Sequence, residues 1–132
     1  MDVPKNCLYT RDHLWVRPEG SRAVVGVTDY YQEELGEVVL LDLPEIDSDI
    51  SVSASFGIIE SDRMVSDLTA PLTGEVVEVN LDVIDSPELV NEDPYGDGWL
   101  VRIEMDDSDQ TEILMSPEEY EDYISGLVVQ EE

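Results

Sequence analysis

The chain has 132 residues, 33 of them Asp or Glu against 6 Lys or Arg, and its formal net charge is -27. A surface this negative repels phosphate backbones and anionic headgroups, which excludes nucleic acid and membrane surfaces as partners. With a hydrophobic share of 42% and a length that buries roughly 65–70% of the unfolded surface, residues 1–132 are expected to form one folded domain and not a disordered acidic tail.

Taken in chain order, most of the sequence reads as short strands punctuated by Gly, Pro, Asp and Asn. Leu14–Val16 and Arg22–Val27 flank the turn-like Pro18-Glu19-Gly20 and predict a hairpin. Thr28 offers an N-cap oxygen to a short helix from Asp29 to Leu35, which Gly36 can end with a left-handed residue. Glu37–Leu43 is an apolar strand stopped by Pro44, Ser51–Ser61 is a further β-prone run, and Glu75–Val79 alternates as a strand should. A last strand, Trp99–Met105, follows the turn-rich Asn91–Gly98. Short strands at this spacing predict a small sandwich or barrel.

The C-terminus changes character. Ser116-Pro117-Glu118-Glu119 combines a capping box with proline at the first helical position. Tyr120, Tyr123, Ile124, Leu127 and Val128 then recur on one helical face, a stripe expected to pack on the sheet. From Glu104 onward there are eleven acidic residues and no basic one, so the opposite face is solvated.

Readings as an enzyme lack the parts. His13 is the only histidine and Cys7 the only cysteine, too few for a zinc site, and no nucleophile elbow accompanies His13. Beside Trp15, His13 reads as a packed, hydrogen-bonded strand residue and not as a general base. Asp106-Asp107-Ser108-Asp109 lacks the glycine and the terminal Glu of an EF-hand loop. The lone cysteine and the absence of a signal-peptide run or of 18 consecutive apolar residues point to a cytoplasmic protein.

The informative stretch runs from Phe56 to Asn80: a strand ending in Glu60-Ser61, the polar Asp62-Arg63-Met64, a return strand with Ser66-Asp67, then Ala70-Pro71 and Gly74-Glu75-Val76. Such a hairpin tip, projecting from a scaffold, displays one side chain to a partner. The stretch closely resembles the lipoyl-attachment hairpin of the glycine cleavage system H protein family. Further blocks resemble that family in order: Tyr9-Thr10-Arg11-Asp12-His13-Leu14-Trp15-Val16, Gly26-Val27-Thr28-Asp29, Leu35-Gly36-Glu37-Val38-Val39, Pro87-Glu88-Leu89-Val90-Asn91 and Asp93-Pro94-Tyr95-Gly96-Asp97-Gly98-Trp99-Leu100. The resemblance implies a mainly β, lipoyl-domain-like fold: a barrel-sandwich hybrid of two small antiparallel sheets with short flanking helices and a C-terminal helix. It implies a lysine at the hairpin tip carrying lipoic acid, whose arm visits the P, T and L proteins of glycine cleavage, and a carrier that is not itself a catalyst.

The chain departs from the family at that lysine. With Glu60-Ser61 and Ser66-Asp67 aligned, Arg63 takes the slot, and the single lysine, Lys5, lies far away in the N-terminal segment. Lipoylation needs a neutral amine to attack an activated acyl group, whereas a guanidinium keeps its proton and delocalises its lone pair. No lipoyl group is therefore expected on this chain. Leu14 stands where the family has a Glu in the cleft that receives the aminomethyl-lipoyl group, Asp62 takes a usually apolar slot, and Asp67 resembles a retained cleft residue. Two readings follow. In one the chain is a non-lipoylated H-like binding or regulatory module, with the P, T and L proteins or a lipoylating enzyme as partners. In the other it is an ordinary carrier whose native residue at position 63 is lysine, which leaves Leu14 and Asp62 unexplained. Acidic surfaces are usual in the family, and the charge also suits a salt-rich cytoplasm in which cations screen self-repulsion.

Overall fold

In the computed structural model the described residues are 2–131, with side chains described up to Leu127, so Val128 of the helical stripe lies outside the described side chains. A two-residue strand that alternation did not reveal, β1 (Leu8–Tyr9), precedes the expected hairpin of β2 (Leu14–Glu19) and β3 (Arg22–Val27). Its bend lies later than predicted. Pro18 remains in the strand opposite Ala23, and Glu19 pairs with Arg22, which leaves Gly20 and Ser21 to turn, Gly20 at φ 68°. Pro18 is tolerated because β1 pairs only with Trp15 and Val16, so no ladder donor is asked of it.

Helix α1 (Asp29–Leu35) has the predicted bounds, and Thr28 Oγ1 accepts from the Tyr31 amide at 3.1 Å. The chain continues through β4 (Val38–Asp42), β5 (Asp49–Ile50), β6 (Ser55–Ser61), β7 (Val65–Thr69) and β8 (Gly74–Val79). The β-prone run from Ser51 becomes a strand only at Ser55, because residues 51–54 form a turn with Ser53 at φ 71°. Two helices too short for periodicity to register, α2 (Leu81–Asp85) and α3 (Leu89–Glu92), lead to β9 (Val101–Met105). A 3-10 turn (Ser108–Ile113) and α4 (Pro117–Glu131) complete the fold. The capping box closes in both directions: Glu119 N–H donates to Ser116 Oγ at 3.2 Å and Ser116 N–H to Glu119 Oε1 at 2.9 Å.

Two antiparallel sheets result, one ordered β1-β2-β3-β9-β8-β5 and the other β4-β6-β7. Their inner faces meet in one core, to which Leu14, Val16, Val25, Leu41, Ile59, Leu68 and Ile103 contribute. Strand β2 is buried on both sides, since Trp15 and Val24 face a second cluster built with Tyr9, Tyr30, Tyr120 and Ile124, where the stripe of α4 packs as expected. Burying each large side chain in these clusters contributes about 2 kcal/mol. Within the second cluster the Tyr120 hydroxyl lies 2.9 Å from His13 Nδ1 and 2.8 Å from Thr28 Oγ1. Helix α4 is thereby tied to the N-cap of α1 and to the turn before β2. His13 occupies that turn at φ 68° and not a strand, held against the rings of Tyr30, Tyr31 and Tyr123.

Burial holds the His13 imidazole below its ordinary value, with the nearby Asp12 opposing that shift. The folded chain thus resists a proton that the unfolded chain accepts, and stability contributed above about pH 6.5 is lost as pH falls below it. Substituting His13→Asn, which tolerates the left-handed backbone, removes this component while leaving the carboxylate background in place. The Tm difference between parent and variant is expected to be largest near pH 8 and to shrink towards pH 5; a difference constant with pH would contradict the assignment. A second expectation concerns the end of α1. Gly36 has φ 85° and ψ -158°, so it ends the helix with positive φ but in an extended, glycine-specific conformation and not in the left-handed helical one. A Cβ there would fall 2.6 Å from Asp62 Oδ1 and 2.9 Å from Arg63 Nε, whereas a Cβ on Gly20 meets nothing within 4 Å. Gly36→Ala should therefore cost roughly 3 kcal/mol and Gly20→Ala roughly 1 kcal/mol in urea unfolding. Equal costs would show that nothing packs on Gly36.

Candidate functional site: the β6–β7 hairpin tip

Strand pairing between β6 and β7 runs to Glu60 opposite Val65, after which Ser61 N–H donates to Met64 O at 2.8 Å. Asp62 and Arg63 are the two central residues of the turn. Ser61, 7% exposed, organises it from within: its hydroxyl oxygen accepts from the amides of Arg63 and Met64, both at 3.2 Å.

The tip folds back onto the junction between α1 and β4. A helix ends with carbonyls that have no intrahelical donor, and α1 has no basic residue in its last turn to serve them. The Gly36 amide reaches Gln32 O at 3.1 Å. The three carbonyls that follow are served by the hairpin: Arg63 Nη1 donates to Glu33 O at 3.3 Å and to Glu34 O at 3.5 Å, and Ser61 Oγ donates to Leu35 O at 2.6 Å. The next residue, Glu37, is held at both of its backbone groups by Asp62. Asp62 N–H donates to Glu37 O at 2.9 Å, and Glu37 N–H donates to Asp62 Oδ1 at 3.0 Å. Ser61, Asp62 and Arg63 thus form one cap over residues 33–37, and Gly36, lacking a Cβ, lets them approach.

Two further residues that motif reading did not single out support this junction. Asn91 of α3 accepts from Val38 N–H at 2.9 Å and donates to Gly36 O at 2.7 Å and Gln32 Oε1 at 3.0 Å, fixing the backbone on which the tip rests. Tyr31 of α1 meets Ser66 of β7 through their hydroxyls at 2.9 Å. Asn91 lies in the block Pro87-Glu88-Leu89-Val90-Asn91, where the sequence marks its position but not its role. For Tyr31 there was no signal, since an exposed-looking tyrosine on a short helix has no sequence mark of its partner.

The remaining expected site residues are placed elsewhere. Glu60 and Asp67 lie on the outer face of the three-stranded sheet, where Asp67 Oδ1 accepts from Ser55 Oγ at 3.3 Å. Leu14, expected beside a surface cleft, is 1% exposed and belongs to the inter-sheet core, because β2 directs it inward with Val16. Apart from Asp42, Glu60 and Asp67 this outer face carries apolar side chains: Val39, Leu40, Ile58, Met64 and Val65 are 36–65% exposed there and at the adjoining tip. The acidic run at residues 106–109 serves the backbone, with Asp107 capping the 3-10 turn by accepting from Asp109 N–H at 2.9 Å. Among the described residues no three His, Cys, Asp or Glu side chains are grouped to hold a metal ion, and no helix is long and apolar enough to cross a membrane.

The family model described as glycine cleavage H-protein matches residues 7–126. A glycine cleavage system H protein of Rubrobacter xylanophilus is 51% identical over 119 residues, covering 90% of this chain and 92% of the relative. One from Halothermothrix orenii is 47% identical over 127 residues, covering 96% of this chain and 99% of the relative. The crystal structure of a glycine cleavage system H protein from Mycobacterium marinum superposes with a TM-score of 0.86 at 35% identity, covering 93% of this chain and 99% of that one. With the family model matching residues 7–126 and both the relatives and the solved structure aligning over nine-tenths or more of its length, the chain belongs to the glycine cleavage H-protein family.

Proposed function

We propose that this chain is a non-lipoylated member of the family, a binding or regulatory module that keeps the H-protein fold across residues 1–132 and does not act as a swinging-arm carrier. The observation that carries the reading is the residue at the hairpin tip. Arg63 has no amine able to form an amide with an acyl group, and its guanidinium is engaged with the carbonyls of Glu33 and Glu34. Lys5, the one lysine, lies beside α4, 3.5 Å from Glu118 and 3.9 Å from Glu121, and not in the hairpin.

Its partners are the P, T and L proteins of glycine cleavage or a lipoylating enzyme, met in the cytoplasm. The outer face of β4-β6-β7 supports this part of the reading. An apolar strip from Leu40 to Val65, interrupted by Asp42, Glu60 and Asp67, suits a protein surface with an apolar centre and a basic rim. No catalytic step is assigned to the chain; the family role is to carry or present, and its side chains here cap, pack and bind.

Intact-mass measurement on protein purified from its native host tests the reading. The expected result is the mass of the unmodified chain under conditions where other lipoyl proteins of the same cells are fully modified. A lipoyl adduct on any residue would sink the proposal and return the chain to the carriers.

A further inference from the structure

Arginine at position 63 explains why the tip cannot be acylated, but it does not explain Asp62. An apolar residue in that slot would leave the Glu37 amide facing water. Asp62 instead brackets Glu37, giving its own N–H to the carbonyl at 2.9 Å and taking the amide with Oδ1 at 3.0 Å. The carboxylate is exposed, so no burial forces it into this pose; the geometry of the turn does, by aiming a two-bond side chain at a free amide across 25 residues of sequence. The bracket sits on a stretch of backbone that is held from two other directions. Gly36 is in a glycine-specific conformation beneath it, and Asn91 holds the carbonyl of Gly36 and the amide of Val38 on either side.

We infer that Asp62 is a latch that holds the hairpin tip against the end of α1, and that it restrains any side chain at position 63 independently of whether that side chain can react. The inference rests on the reading that position 63 is the family's acylation position. It concerns positioning, not chemistry. In the reaction considered, a lysine amine attacks the acyl carbon of a lipoyl-adenylate, the C–N amide bond forms, the C–O bond to AMP breaks, and the ammonium proton passes to solvent base. For that attack the side chain must leave the protein surface and extend into a ligase. A tip bracketed at Glu37 and resting over Gly36 leaves position 63 exposed but directs its side chain along the α1 end, towards the Glu33 and Glu34 carbonyls. Restoring the amine therefore restores reactivity without restoring access.

The test uses the full-length chain and its Arg63→Lys, Asp62→Val/Arg63→Lys, Asp62→Ala/Arg63→Lys and Asp62→Asn/Arg63→Lys variants, each incubated with lipoate, ATP and a lipoate–protein ligase. Adduct at position 63 is followed by peptide mapping, which separates it from Lys5. Asparagine keeps the Oδ1 acceptor and removes the charge, so it distinguishes the bond from the electrostatic effect of a carboxylate beside an amine. The expected result is slow modification of Arg63→Lys, an equally slow Asp62→Asn double variant, and at least tenfold faster Val and Ala double variants, all with the ligase KM for the acceptor carrying part of the change. The Tm of each variant is recorded, and the Ala variant stands in if the Val variant fails to fold. Arg63→Lys reacting as fast as the Val and Ala variants would overturn the latch, as would an Asn variant as fast as Val. Adduct on the unsubstituted chain would overturn the non-carrier reading itself, a separate outcome read in the same experiment.

Discussion

The helix that begins at Asp29 ends after two turns, and its last carbonyls must find donors. That constraint organises this end of the molecule. Burying or crowding an unserved carbonyl costs on the order of 1–3 kcal/mol, and α1 carries Glu33 and Glu34 in its last turn where a cation is wanted. The donors come from the β6–β7 hairpin tip, which brings Ser61 and Arg63 to the carbonyls of residues 33–35 while Asp62 secures Glu37. The three-stranded sheet is thus tied to α1, α1 is tied by Thr28 and Tyr120 to α4, and Asn91 ties the junction to α3. An unmet requirement of backbone chemistry thus joins the hairpin tip to α1, beside the β4–β6 ladder and the core contacts that anchor the hairpin's strands.

Arginine suits that task for the reason it cannot be acylated. Its planar fork of donors can serve neighbouring carbonyls without losing charge. A lysine amine is valuable to a carrier because it can become neutral, react and swing free. Capping wants the side chain folded back; carrying wants it extended. At position 63 the two uses exclude one another, and Gly36, Asp62 and Asn91 are arranged for the first. Of the few basic residues in the chain, Arg22 and Arg102 reach carboxylates of Glu104 and of Glu19 and Glu78, and Lys5 reaches Glu118 and Glu121, whereas Arg63, like Arg17 at Tyr95 O, donates to backbone carbonyls. In a chain with a net charge of -27 that choice reflects geometry, since carboxylates are available everywhere.

What was legible in the sequence is what local chemistry determines. The bounds of α1 follow from Thr28 and Gly36, and the start of α4 from Ser116, Pro117 and Glu119, because caps act within one turn of chain. Strands β1 and β5, with two residues each, and helices α2 and α3 were too short to carry a period, and exist because neighbouring strands and loops offer them partners. The site divides in the same way. Arg63 stood out because the motif on either side of it resembles the family's hairpin. Leu14 entered by resemblance to a family cleft position, and its burial between the sheets is known from the fold alone, since both faces of β2 are covered. The cap itself joins residues 25 to 30 positions apart, and a contact of that span leaves no local pattern. Asp62 was visible only as a charge in an apolar slot, and its partner is known from the fold alone.

The claim on which this account turns is that the tip is closed onto the end of α1 in solution. Amide hydrogen exchange of the unsubstituted chain, resolved at Glu37 and Asp62, measures it most directly. If the bracket holds, both amides should exchange at least about 100-fold more slowly than a free peptide, in company with the amides of β6 and not with an open turn. Exchange at both positions near the free-peptide rate would mean that the tip stands away from the helix, and the cap described here would not be the state of the molecule.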